Sequence, residues 1–334
     1  MSVGELEHCA RLRHVREQRR RMRLRPGNPE KGGVAVVGPG RVGQSLGKLL
    51  ARAGIPILFV AARRLPAARR AARFIGRGRP LPLGDSRAYG SNARQLTEAP
   101  VVLLTTSDAA LGDVARSLAR LSSPTSARRK RGSSERARGS VWSGKVVLHT
   151  CGSLPSAVLE PLKRQGAAIG SLHPFQTIPS PEAGVRNLTG CFWGIEGDAA
   201  ARKVASRLVR LLGGVAFPLR PERKILYHAA AFLVCPTIVT LMDRSARLLE
   251  RSGVPARVAG PMLAKFVAET AGNWAQLGAR RALTGPVARG DWLTIRRHLI
   301  ALRRSLPDTV PLYIAVVRAM LRLARRRPPA GNEV

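Results

Sequence analysis

The chain has 334 residues, 45% of them apolar, which suits about two domains with sizeable cores and excludes a disordered binding tail. Against 57 basic side chains stand only 20 acidic ones, a formal charge of +37, yet charged residues are just 23% of the chain, so the imbalance is chiefly a shortage of acids. Such a field attracts phosphates, nucleic acid and anionic lipid, and bears on partners rather than on fold. Cys9, Cys151, Cys191 and Cys235 form no C-x-x-C pair and no zinc-like spacing, which points to a reducing cytoplasm and to no metal site. The Arg-rich N-terminus lacks the apolar segment of a secretory signal. The longest apolar stretch, Ala229 to Met242, has 14 residues and includes Pro236. A membrane span needs about 20, so the stretch reads as a buried helix of a soluble protein.

Residues 1–31 are rich in arginine and poor in apolar positions, and read as a disordered basic arm. From there the pattern becomes regular. Val34 to Val37 is an apolar strand, followed by a Gly-rich turn and an amphipathic helix over 41–53. Strands over 57–61, 100–105, 146–149 and 167–171 alternate with helices over 65–75, 109–121 and 154–165. A strand over 191–195, a helix over 199–212 and a strand over 215–218 complete the layer. This alternation predicts an α/β domain, a doubly wound and mainly parallel Rossmann sheet over 32–219. Its insert, residues 122–140, is Ser- and Arg-rich without hydrophobic period and reads as disordered. Beyond 220 the pattern is helical only, with helices over 223–252, 255–277, 291–305 and 308–326. An all-α domain is therefore expected over 220–327, with a tail from 328 to 334. Trp274, Leu277 and the Ala229 to Met242 stripe read as core of that domain.

The first strand runs into Gly38-Pro39-Gly40-Arg41-Val42-Gly43, a G-x-G-x-x-G sequence between a strand and a helix. Gly38 permits the tight turn, Gly40 lets a pyrophosphate approach the backbone, and Gly43 lets the helix pack on the strand. The helix N-terminus, with Arg41 and Val42 in its first turn, offers unpaired N–H groups to phosphates. Where an NAD site carries an acid for the ribose, this chain has Ala61-Ala62-Arg63-Arg64. Arg63 and Arg64 suit the 2′-phosphate of NADP(H), so NAD is the less favoured cofactor. The alternative is that they are ordinary surface arginines. Thr106 and Ser107, after the third strand, are candidates for the nicotinamide ribose, while Ser107 and Asp108 could equally cap the next helix.

Four segments make a more specific match. Leu148-His-Thr-Cys-Gly-Ser153, Gly170-Ser-Leu-His-Pro-Phe-Gln-Thr177, Tyr227-His-Ala-Ala-Ala231 and Leu283-Thr-Gly-Pro-Val-Ala-Arg-Gly-Asp291 together resemble a bacterial family of oxidoreductases that joins a Rossmann-like domain to the helical domain of unknown function numbered 2520. More distantly, the arrangement is similar to 6-phosphogluconate and β-hydroxyacid dehydrogenases, ketopantoate reductase, pyrroline-5-carboxylate reductase and prephenate dehydrogenase. The resemblance implies hydride transfer with NADP(H) to or from a small carbonyl, hydroxy-acid or imine substrate, and a homodimer built by the helical domain. Val234-Cys235-Pro236 stands where the family pattern has a Ser-Asn pair, leaving a substrate or catalytic contact of that Asn unfilled.

Hydride transfer to a carbonyl requires a proton donor, and the reverse requires a base. Lys224 and His228, four residues apart, share a helix face. Related dehydrogenases place a catalytic lysine with such a partner on the corresponding helix, so Lys224 is expected as general acid with His228 orienting substrate or relaying the proton; the alternative is a surface lysine and a half-buried histidine. His173, before Pro174, is expected on a loop after the fifth strand, as a substrate ligand or acid/base, or as a purely structural loop histidine. Ser153, Gln176, Thr177 and Arg289 are candidates for binding a small substrate, expected to be anionic. Asp291 reads as a helix N-cap, and Cys151 has no local base to make it a nucleophile.

Two other classes compete. A regulator that binds NADPH as a redox sensor without turnover draws support from the missing Asn. A nucleic-acid-associated protein draws support from the charge, but the aromatic content is 4% and no aromatic-basic interleaving accompanies it.

Overall fold

The computed structural model describes residues 32–84, 89–121 and 140–324. The basic arm, nearly all of the insert and the tail lie outside these residues. Eight strands form one sheet in the order β3-β2-β1-β4-β5-β6-β7-β8: β1 (Val34–Val37), β2 (Ile57–Ala62), β3 (Arg79–Pro82), β4 (Val101–Leu104), β5 (Val146–His149), β6 (Ala168–Pro174), β7 (Phe192–Gly197) and β8 (Val215–Pro218). Strands β1 to β6 are parallel, β7 is antiparallel to β6, and β8 is parallel to β7. The order reverses between β1 and β4, the switch point at which open α/β sheets bind ligands beyond the strand carboxyl ends.

The continuous apolar runs follow from burial on both faces. Val34, Val36, Leu103 and Leu148 pack into one core layer, while Ala35, Val37, Leu104 and Val147 pack into the other. Helices α1 (Arg41–Arg52), α2 (Leu65–Ile75), α3 (Tyr89–Gln95), α4 (Asp108–Ala119), α5 (Glu160–Lys163), α6 (Pro181–Asn187) and α7 (Ala199–Leu211) belong to this part of the chain.

Three local departures from the sequence reading have clear causes. Strand β3 reads Arg-Pro-Leu-Pro, and prolines argue against a strand except at an edge, which is where β3 lies. The helix expected over 154–165 is a 3₁₀ turn, Ser156–Leu159, leading into the four residues of α5, because Pro155 and Pro161 leave no room for a longer one. His173 lies within β6 rather than on a loop after it, since pairing with β7 continues through His173 and Pro174 to Gly194 and Trp193.

Helix α8 (Lys224–Arg251) runs out of the α/β layer, followed by α9 (Ala256–Leu277), α10 (Ala279–Ala282), α11 (Pro286–Arg289), α12 (Trp292–Ser305) and α13 (Val310–Ala324). The chain divides into two compact units between Ala231 and Phe232, inside α8, because its first two turns anchor to the sheet through Lys224 and Tyr227. In the second unit Val287, Ile295, Val317 and Leu321 form a small core.

The reading of α8 and α9 as core helices is corrected. Phe232, Leu233 and Val239 on α8 and Phe266 and Trp274 on α9 are each more than 60% exposed, and Leu277 is exposed as well. Both helices are apolar around more of their circumference than one small core can cover. The segment Pro221–Arg251, which continues helically through Pro236, is also longer than the 14-residue run suggested; it meets the length and hydropathy of a membrane span, with none of its apolar window buried.

Candidate active site at the carboxyl edge of the sheet

The β1–α1 turn has the shape its glycines predict. Gly38 has φ +75° and donates to the Ala61 carbonyl at 2.8 Å. A Cβ there would meet Thr106 Cγ2 at 2.4 Å, and one on Gly43 would meet Thr105 Oγ1 at 2.2 Å. Gly40 is different: its nearest neighbour would be 4.0 Å away, so the backbone is open on that side to an incoming group. Gly40 caps α1 without a side-chain bond, which leaves the first-turn N–H groups, those of Arg41 and Val42 included, available to an anion.

Around the turn, Thr105 Oγ1 donates to the Gly38 carbonyl at 2.8 Å, and the Thr106 hydroxyl oxygen is buried without a partner. Ser107 precedes α4 but makes no side-chain capping bond. Arg63 and Arg64 follow β2 and are exposed, with no acid beside them in the chain. Arg41 is exposed, its guanidinium 3.5 Å from the Ile178 carbonyl. An open glycine, free N–H groups and an orphaned hydroxyl fit a dinucleotide cofactor.

Beyond β5 and β6 lies a polar cluster on the same edge. His173 Nδ1 and Tyr227 Oη are 2.9 Å apart, and Phe175 and Phe217 enclose the tyrosine ring at centroid distances of 5.4 and 6.1 Å. His228, one residue on, stands 6.2 Å from the His173 ring. Burial, with Lys224 and His228 adding to it, pushes His173 down to about 4, so its ring is neutral near pH 7. Burial also raises Tyr227, which therefore keeps its proton.

Lys224 is placed otherwise than a proton donor requires. It is 0% exposed, and its ammonium donates to the Cys151 carbonyl (3.0 Å), Ser171 Oγ (2.7 Å) and Glu196 Oε1 (3.2 Å), which uses all three protons. Neither the surface alternative nor the open-site reading describes it. Glu196, 2% exposed, also accepts from Ser156 N and Oγ and from Ser171 Oγ. Burial lowers the Lys224 ammonium below the usual lysine range, with Glu196 working in the opposite direction.

The Cys151–Ser153 turn sits on this pair. His149, fully buried, accepts at Nδ1 from the Cys151 N–H at 3.1 Å, and burial followed by the Lys224 charge pushes it down to about 3. Ser153 Oγ donates to Asp108 Oδ2 at 2.9 Å and lies 3.3 Å from Cys151 Sγ. Burial raises the Cys151 thiol, which leaves it protonated and a poor nucleophile.

Gln176 and Thr177 are exposed after β6, the Gln176 side chain accepting from the Thr177 N–H. Arg289 lies exposed at the end of α11 in the second unit, where Asp291 caps α12 by accepting from Thr294. Sequence reasoning thus brought out His173, His228 and Ser153 but passed over Tyr227, Glu196, Ser171 and His149. Tyr227, Ser171 and His149 stand within the family-like segments, and Glu196, an acid in the apolar Phe-Trp-Gly-Ile-Glu-Gly strand, was a usable signal, because buried acids are almost always paired.

A Rossmann-like domain model matches residues 24–174, and the model of a domain of unknown function, DUF2520, matches residues 191–320. No curated protein matches the chain significantly. Among solved structures, the "putative NADP oxidoreductase BF3122" of Bacteroides fragilis is similar with TM-score 0.66 and 22% identity, over 88% of this chain and 100% of that one. Protein TM1727 of Thermotoga maritima is similar with TM-score 0.59 and 20% identity, over 87% and 98%. A reductive aminase of Aspergillus terreus in complex with NADPH and ethyl-5-oxohexanoate follows with TM-score 0.59 and 16% identity, over 89% and 96%. At these identities the likeness is one of fold.

Proposed function

For a chain that joins a Rossmann-like domain to a DUF2520 domain, we propose the function of an NADP(H)-dependent oxidoreductase that passes a hydride to or from a small carbonyl, hydroxy-acid or imine substrate. The observation that carries this reading is the His173–Tyr227 pair at the same carboxyl edge as the open Gly40 turn. The NADPH-bound reductive aminase of the same fold is consistent with it.

The Gly38–Gly43 turn and the α1 N-terminus would hold the pyrophosphate, Arg63 and Arg64 the 2′-phosphate, and Thr106 and Ser107 the nicotinamide ribose. When bound, the cofactor supplies the hydride. Tyr227, kept protonated, gives its proton to the substrate oxygen or nitrogen, and His173 restores it from Nδ1 while Nε2 takes up another, so the ring carries a proton without net change. In the reverse direction the neutral ring accepts. His228, Ser153, Gln176 and Thr177 would serve as polar contacts for the substrate. Lys224 is assigned no proton transfer.

Self-association through the helical unit is part of the proposal. Phe232, Leu233, Val239, Phe266 and Trp274 expose more apolar surface than a lone chain usually leaves bare. A groove of about 670 Å³ between α8 and α9, lined by Leu248, Leu249, Met262 and Phe266, continues it. A second copy would cover both, in a cytoplasmic setting consistent with the cysteine usage.

The test is calorimetric titration with NADPH and NADH, followed by turnover assays on 2-oxo acids, aldehydes and cyclic imines. Tighter NADPH binding with turnover of one class is expected. Tight binding without turnover would favour a sensor, and nucleic-acid binding with no NADPH binding would remove the oxidoreductase reading.

A further inference from the structure

The buried Lys224–Glu196 pair gives no proton to the reacting groups, yet the turn and the strand beside them are both bonded to it. The Cys151 carbonyl that Lys224 holds belongs to a turn pinned also by His149 at the Cys151 N–H and by Asp108 at Ser153 Oγ. The centre of that turn, Gly152, backs onto His173: a Cβ built there would lie 2.6 Å from Nε2. Ser171, which accepts from Lys224, is two residues before His173 on β6.

We propose that Lys224 is a positioning residue, whose ammonium fixes the Cys151–Ser153 turn and, through Gly152 and Ser171, the His173 ring. The proposal rests on the reading that His173 and Tyr227 move the proton. Three acceptors and complete burial leave Lys224 no proton to give outward, and a donor that had to break a buried pair for each turnover would bear a large desolvation cost. The Lys224 charge acts equally locally. His173 is faced by Lys224, Tyr227 and His228 from α8, by Asp108 from α4 and by His149 from β5; of these, Lys224 is the largest electrostatic influence on its pKa and Asp108 opposes it.

The experiment reads His173 directly, with no substrate needed. Imidazole resonances are followed by NMR against pH in the full chain, with His173→Asn identifying the signal. In Lys224→Met the His173 midpoint should rise by about one pH unit, and Lys224→Arg should return it most of the way. NADPH affinity should stay within about twofold, while turnover on any active substrate falls about 10- to 100-fold. If Lys224→Met does not fold, Ser171→Ala removes one of the three acceptors and should lower turnover by about tenfold with the His173 signal displaced. An unmoved His173 midpoint in folded Lys224→Met, or an unmoved signal in Ser171→Ala, overturns the proposal. Full turnover in both His173→Asn and Tyr227→Phe would instead sink the proton-transfer reading, and the NMR result would stand apart from it.

Discussion

Gly152 and His173 share one packing contact that admits no side chain: a Cβ on Gly152 would sit 2.6 Å from Nε2 and 2.8 Å from two ring carbons. Gly152→Ala must therefore shift the turn or rotate the ring away from Tyr227. Because misplacement by about 1 Å can cost about 100-fold in rate, turnover should fall by one to two orders of magnitude. Cofactor affinity, governed by the β1–α1 turn, should hardly change. Steady-state kinetics beside an NADPH titration separates the two, and equal losses in both would contradict the division of labour.

The two exposed arginines after β2 are open to a cofactor test. Each charge-assisted bond to phosphate is worth about 1.5–3 kcal/mol, so Arg63→Ala with Arg64→Ala should weaken NADPH by about 10-fold or more. NADH should be affected little. Calorimetry with both cofactors decides it, since parallel losses would mean that the arginines do not read the 2′-phosphate.

Acid should destabilise the α/β unit through His149. The unfolded ring binds a proton below about pH 6.5, while the folded one resists until about 3. Between these values the unfolded state holds more protons, so stability falls as pH falls, by about 4–5 kcal/mol in all if no other group compensates. His173, at about 4, adds to the same slope. Chemical denaturation at a series of pH values between 7 and 4 should show the decline, and His149→Gln should flatten it.

Gly43 is tied to Thr105 as closely as a glycine can be. Gly43→Ala places a methyl 2.2 Å from Thr105 Oγ1 and 3.3 Å from Val36 Cγ1, so α1 must lift off β1. Overpacking of this kind costs about 1–3 kcal/mol. Thermal melts should record the loss, and Gly40→Ala, with open space around it, should retain stability while weakening NADPH.

Self-association predicts that Phe266→Glu with Val239→Glu lowers the sedimentation coefficient of the protein at micromolar concentration. Wild type that already sediments as a monomer there would remove the second copy as the cover for α8 and α9.

The sheet was legible in the sequence because burial on both faces writes itself as unbroken apolar runs, as in Val34 to Val37 and Val101 to Leu104. The glycine turn was legible because backbone conformation, not distant contact, demands those residues. The Lys224 network was not legible. Its four groups come from β6, β7, α8 and the turn before α5, and only the antiparallel pairing of Ser171 with Glu196 shows that they meet. Helical periodicity put Lys224 and His228 on one face correctly, yet periodicity carries no information about whether that face meets solvent, ligand or a buried acid. The exposed α8 and α9 faces misled for a related reason: an apolar stripe announces that something covers it, without saying that the cover is in the same chain.

The prolines of β3 bear on how this protein can assemble. The Leu83 N–H reaches inward to the Ala62 carbonyl, so by strand alternation the nitrogens of Pro80 and Pro82 point away from β2. Those are the two donors that an incoming strand would need, and proline has none to offer. That border of the sheet is thus chemically closed to strand addition, which protects a crowded solution of folded chains from ribbon-like growth along it.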